Sequence, residues 1–165
     1  MIQNLIDTKK KIIVALDTKN LNQALELVEK LTDVEVFKIG LEFFCANGPE
    51  GVKRISKTGV KIFLDLKFHD IPNTVVEALK STLPIEPFMM TLHISGGKKM
   101  IETSMKMVLE NSNKKSVRRP LIMGVSVLTS INEEDFTSLG IIGDLEQQVL
   151  RLGELAIESG LDGIV

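Results

Sequence analysis

"KIFLDLKFHDIPNTV", Lys61 to Val75, decides how the rest of the chain is understood. It opens as an apolar run and ends with Asp65, Lys67, His69 and Asp70 within six residues, before a Pro-containing segment of helical spacing. A strand at a sheet surface alternates apolar and polar positions. A run that is apolar on both faces marks a parallel strand covered on both sides. The same rhythm extends in both directions. "KIIVALD" (Lys11–Asp17), "VEVFKIG" (Val34–Gly40), "VKIFLDLK" (Val60–Lys67), "PFMMTLHIS" (Pro87–Ser95) and "RPLIMGVSVLT" (Arg119–Thr129) are further apolar runs, and "DGIV" (Asp162–Val165) opens a sixth. Between them lie segments with helical spacing. "NLNQALELVEKL" (Asn20–Leu31) places Leu21, Ala24, Leu25, Val28 and Leu31 on one face. "EFFCANGPEGVKRISKTG" predicts a helix interrupted near Gly48–Pro49. "IPNTVVEALKSTLP" (Ile71–Pro84) is stopped by its final proline. A fourth helix runs to about Asn111, and "LEQQVLRLGELAIESG" (Leu145–Gly160) ends on a glycine suited to a C-cap.

Six strand–helix repeats leave an open doubly wound sheet or a (β/α)8 barrel. The first strand–helix turn, "LDTKN", has no G-x-G-x-x-G, which disfavours a dinucleotide-binding sheet. We therefore expect an α/β fold, a (β/α)8 TIM barrel of which about the first six strands are present. Residues 1–165 are expected to form a single barrel domain that stops at strand six, as part of a longer chain, because eight units usually need about 250 residues.

The whole chain has 165 residues, a net charge of −2 and 44% hydrophobic residues, an ordinary globular composition. This balance gives no sign of a nucleic-acid or membrane-surface partner. The one cysteine, Cys45, suits a reducing cytoplasm, and "MIQNLIDTKKKIIVALD" lacks signal-peptide order. The longest apolar runs are too short to span a bilayer.

The strand ends carry the chemistry. Asp17, Lys38, Asp65 with Lys67, His93, and then Ser126 and Thr129 follow successive strands. A barrel gathers these ends on one face. Asp65 and Lys67 are two residues apart, so regular pleating would send both side chains to the same side. Taken singly, each polar end also suits a solvent-facing turn. Asp17 suits a cap or turn, Asp70 the cap of the helix whose first turn holds Pro72, and "SGG" (Ser95–Gly97) a tight turn. His69 and His93 suit structural hydrogen bonding. No Cys, His and carboxylate spacing makes a metal site. The acid and amine groups arriving together are harder to assign to solvent alone.

"FLDLKFHDIPNT" (Phe63–Thr74), with "ALD" (Ala15–Asp17), "FKIGLEFF" (Phe37–Phe44), "LHISGG" (Leu92–Gly97) and "GVSVLTS" (Gly124–Ser130), resembles the orotidine 5′-phosphate decarboxylase family in order and spacing. The resemblance covers the whole chain. It implies a (β/α)8 barrel, a homodimer with shared active sites, and conversion of orotidine monophosphate to UMP without cofactor or metal, the last step of de novo pyrimidine synthesis. It implies that Lys38, Asp65, Lys67 and Asp70 form the catalytic charge network, with Lys67 the proton donor and Asp70 serving the neighbouring subunit's site. It also implies that Asp17 and Lys38 meet the ribose hydroxyls, that Ile71 and Thr74 reach the partner's site, and that Thr129 contacts the pyrimidine. The family's phosphate-gripping Gln and Arg have no counterpart in these 165 residues.

Such a network fits the reaction. Loss of CO2 from C6 leaves an electron pair in the ring plane with no conjugated sink. A fixed ammonium can stabilise that charge and then supply the proton. Two alternatives stand beside this one. The Mg-dependent sugar-phosphate decarboxylases and aldolases of the same superfamily, 3-keto-gulonate-6-phosphate decarboxylase and hexulose-phosphate synthase, also resemble the chain in Asp-x-Lys-x-x-Asp. They carry a metal-binding acid at the end of strand two, where this chain has Lys38. The other alternative is an inactive barrel fragment acting as a binding module.

Overall fold

A computed structural model describes residues 11–115 and 118–165, with the side chains of 113–115 left aside. The first ten residues of "MIQNLIDTKKKIIVALD" therefore lie outside the described residues. Among those described, six strands form one sheet in the order β1-β2-β3-β4-β5-β6. They are β1 (Ile13–Ala15), β2 (Val36–Gly40), β3 (Lys61–Phe68), β4 (Met89–His93), β5 (Leu121–Val125) and β6 (Gly163–Ile164). The helices are α1 (Leu21–Lys30), α2 (Leu41–Ser56), α3 (Pro72–Thr82), α4 (Lys98–Lys115), α5 (Glu133–Ser138) and α6 (Leu145–Glu158). A doubly wound sheet reverses its strand order at a switch point. This sheet does not reverse, so its order is that of a (β/α) barrel.

The chain packs as two compact units. The first comprises the described part of Met1–Leu66 together with Ser81–Met90. Here β1 and β2 are parallel with Ala15 opposite Lys38, and β2 and β3 are parallel with Gly40 opposite Asp65. Leu16, Phe37, Ile39, Phe43, Val52, Ile55, Ile62 and Leu64 are all buried. The unbroken burial from Ile62 to Leu66 is what an apolar parallel strand requires. Asn20 caps α1 by accepting from the N–H groups of Asn22 and Gln23. The interruption expected in α2 is present: Gly48 has φ 62°, a left-handed conformation cheap only for glycine, and Pro49 starts the second stretch.

The second unit comprises Lys67–Lys80 and Thr91–Val165. Its core includes Val75, Leu79, Leu92, Ile94, Met100, Ile101, Val108, Ile122 and Val125. Gly160 ends α6 with φ 77°, and the Leu161 N–H reaches the Ala156 carbonyl in a Schellman closure. The short helix α5 is not among the expected elements, although Asn132 caps it by accepting from the Asp135 N–H and three acids fill its first turn.

Asp162 locks β6 beside β5. Both guanidinium ends of Arg119 donate to its carboxylate, the Ile122 N–H donates to Oδ2 at 2.8 Å, and the Asp162 N–H donates to the Ile122 carbonyl at 3.0 Å. Burial alone would raise the Asp162 carboxyl, but the Arg119 hydrogen bonds and the Ile122 amide outweigh it and hold the group below its ordinary 3.8. A carboxyl depressed in the folded state adds stability that is complete well above its unfolded value and drains away as pH falls through the folded one. Asp162→Asn is therefore expected to lose about 1–3 kcal/mol at neutral pH. Urea unfolding should show the deficit shrinking between about pH 5 and pH 3. An equal deficit at both ends of that range would remove the ion pair as its source.

Candidate functional site

In the first unit the ends of three neighbouring strands converge on one ammonium. The Lys38 Nζ lies 3.5 Å from Asp17 Oδ1 and 3.7 Å from Asp65 Oδ2. Parallel pairing places Ala15 opposite Lys38 and Gly40 opposite Asp65, so the backbone ladder alone brings these ends together. The environments differ. The Asp17 side chain is 69% exposed, Lys38 27% and Asp65 10%. The Asp65 pair is thus shielded from water and the Asp17 pair is largely screened. Gly40 ends β2 close to this ammonium. A Cβ there would stand 3.5 Å from the Lys38 Nζ, in van der Waals contact with the ammonium. Nothing in the sequence singles out this glycine.

The second unit holds Lys67, Asp70, Ile71, Thr74 and Thr129. Lys67 is half-buried and adopts φ 52°. A left-handed residue departs from regular pleating, so two-residue spacing alone does not set the direction of its side chain. Such a conformation costs a non-glycine residue about 1–2 kcal/mol. It persists only where the surroundings over-determine it, which is typical of functional sites. The Lys67 N–H donates to the Thr91 Oγ1 at 2.8 Å. Thr91, fully buried in β4, was not among the expected site residues. The His69 and His93 rings, from the ends of β3 and β4, lie with centroids 5.1 Å apart.

The loop after β3 is exposed. Asp70 Oδ1 accepts from the adjacent Ile71 N–H at 2.6 Å, and Ile71 itself holds the cap position of α3, where its carbonyl accepts from Val75. Ile71 is 68% exposed, and Thr74 is exposed beside it on the first turn. Thr129 is exposed in the turn after β5. "SGG" forms a tight turn, with Gly97 at φ 86°.

Among the described residues, no group of three or more His, Cys, Asp or Glu could hold a metal ion. At the strand ends, the ammonium of Lys38 lies between the carboxylates of Asp17 and Asp65. No helix among the described residues is long and apolar enough to cross a membrane.

The model of the orotidine 5′-phosphate decarboxylase / HUMPS family matches residues 10–165. The chain is 48% identical over 156 residues to orotidine 5′-phosphate decarboxylase of Dictyoglomus turgidum, covering 93% of this chain and 64% of that protein. It is 45% identical over 155 residues to the protein of the same name from the Wolbachia of Brugia malayi, covering 93% of this chain and 66% of the relative. The chain thus spans just under two thirds of the length of these relatives. Among solved structures, orotidine 5′-phosphate decarboxylase from Lactobacillus acidophilus matches with a TM-score of 0.85 at 34% identity, covering 93% of this chain and 69% of that one. With the sequential strand order, this likeness makes the chain a partial (β/α)8 barrel, six strands of it among the described residues.

Proposed function

We propose that this chain, which belongs to the orotidine 5′-phosphate decarboxylase / HUMPS family, carries the charged machinery that converts orotidine 5′-monophosphate to UMP without a metal or organic cofactor. The observation that carries the proposal is the Lys38 ammonium standing 3.5 and 3.7 Å from Asp17 and Asp65. A resident cation at that point repels a divalent ion, which separates this site from the Mg-dependent members of the superfamily.

In the proposed reaction the bond from C6 to the carboxylate breaks, CO2 leaves, and the electron pair stays on C6. Lys67 stabilises that pair and transfers a proton from Nζ to C6, giving UMP, and then regains its proton from solvent. Asp65 and Lys38 carry further charges of the network that the family resemblance implies, with Asp70 contributed to the site of a second copy. Asp17 and Lys38 bind the ribose hydroxyls and Thr129 the pyrimidine. The exposure of Ile71, Asp70 and Thr74 supports a loop that meets a second subunit. Such a step belongs to pyrimidine synthesis in the cytoplasm, and the single exposed Cys45 suits a reducing compartment.

Two results are expected. UMP formation from orotidine 5′-monophosphate is unchanged after EDTA treatment. Activity lost in EDTA and restored by Mg2+, or turnover of a keto-sugar phosphate in place of the nucleotide, would move the chain to the metal-dependent branch. A protein that binds UMP without forming it would be the inactive binding module. In sedimentation at micromolar concentration the protein runs as a dimer, and Asp70→Ala lowers kcat without dissociating it. Monomers with full activity would refute the shared site.

A further inference from the structure

We infer that Thr91 is a positioning residue for Lys67. The inference rests on the proposed role of Lys67 as proton donor. Three observations carry it. Lys67 is held at φ 52°, a conformation its side chain disfavours, so something outside the residue must maintain it. The Lys67 N–H is taken at 2.8 Å by the Thr91 hydroxyl, a side chain 24 residues away, where a strand residue would ordinarily use a backbone carbonyl. Thr91 is also the one polar residue in the buried run from Met89 to Leu92, with Met90 and Leu92 fully buried on either side. A valine would fill the same volume there. A β-branched side chain has few rotamers, so a buried threonine presents its oxygen as a rigid acceptor. The Lys67 backbone is pinned by a group that cannot drift. An ammonium that must meet a carbanion in the ring plane loses efficiency steeply when displaced by an ångström.

The alternative is that Thr91 is an ordinary buried threonine whose hydroxyl contributes only to stability. Kinetics and amide exchange separate the two. Thr91→Val should lower kcat for UMP formation about 10–100-fold while changing KM by less than about threefold. Thr91→Ser, which keeps the hydroxyl, should stay within about threefold of the parent in kcat. The Lys67 amide should exchange slowly in the parent and in Thr91→Ser and rapidly in Thr91→Val. If the valine variant does not fold, Thr91→Ser against Thr91→Ala makes the same comparison, both lacking the methyl and only one lacking the hydroxyl. Parent-like kcat in Thr91→Val, equal losses in the serine and hydroxyl-free variants, or a Lys67 amide equally protected without the hydroxyl would each overturn the assignment. A parent that makes no UMP would sink the proposed function instead. The amide exchange would still decide whether Thr91 holds Lys67.

Discussion

Lys67→Ala is expected to lower kcat for UMP formation by about 10⁴-fold or more, with UMP affinity changed by less than about tenfold. Loss of a positioned proton donor alone accounts for about 10²–10⁴. In the proposed step the same ammonium also meets the electron pair left by CO2, and removing one preorganised electrostatic contact typically adds about 10²–10³. Binding should survive, because in the proposed site product affinity comes from the ribose contacts of Asp17 and Lys38 and the base contact of Thr129 rather than from Lys67. Alanine keeps the Cβ, so the left-handed backbone at this position remains as disfavoured as before and the change isolates the side chain. Lys67→Met, neutral and of similar length, controls for volume. Activity within about tenfold of the parent would remove Lys67 from the mechanism, since a proton donor is worth more than that. A fall in UMP affinity as large as the fall in rate would make it a binding residue.

Asp65→Asn is expected to have the second largest effect, lowering kcat about 10²–10³-fold and stability by about 1–3 kcal/mol. The Asp65 side chain is 10% exposed and pairs with Lys38 at 3.7 Å. Its carboxylate is out of water, so the pair is held together by mutual need: removing one partner of a shielded pair leaves the other charge uncompensated. The amide keeps the shape and removes the charge. Lys38 would then have only Asp17, which is largely solvated and a weak substitute. A double-mutant cycle isolates the pair. Adding Lys38→Met to Asp65→Asn should cost less stability than the two single losses added together. Strict additivity would mean the two groups do not sense each other.

Much of the fold was legible in the sequence because the strands are apolar on both faces. Phe63, Leu64 and Leu66 carry the signature of a buried parallel strand, and Gly48–Pro49 and Gly160 announced their breaks through the backbone freedom of glycine. Lys38 and Asp65 were legible as charges at the ends of adjacent strands, because parallel pairing brings such ends together. Three things were hidden. The left-handed turn at Lys67 is written in no residue preference, since lysine is not a residue that seeks it. The acceptor that holds it, Thr91, is distant in sequence and looks like any β-branched strand residue. The approach of the Lys38 ammonium to Gly40, 3.5 Å from where a Cβ would stand, depends on where that side chain reaches in the fold. Each is a tertiary relation between residues whose local signals are ordinary.

The most direct test of the account follows orotidine 5′-monophosphate in D2O by NMR, with the parent protein and with Lys67→Ala. The account predicts that the parent releases one CO2 for each UMP and leaves deuterium at C6, delivered from the exchanged Lys67 ammonium, while the variant leaves the substrate unchanged over the same interval. Unaltered substrate with the parent protein, or deuterated UMP appearing equally fast with Lys67→Ala, would contradict it.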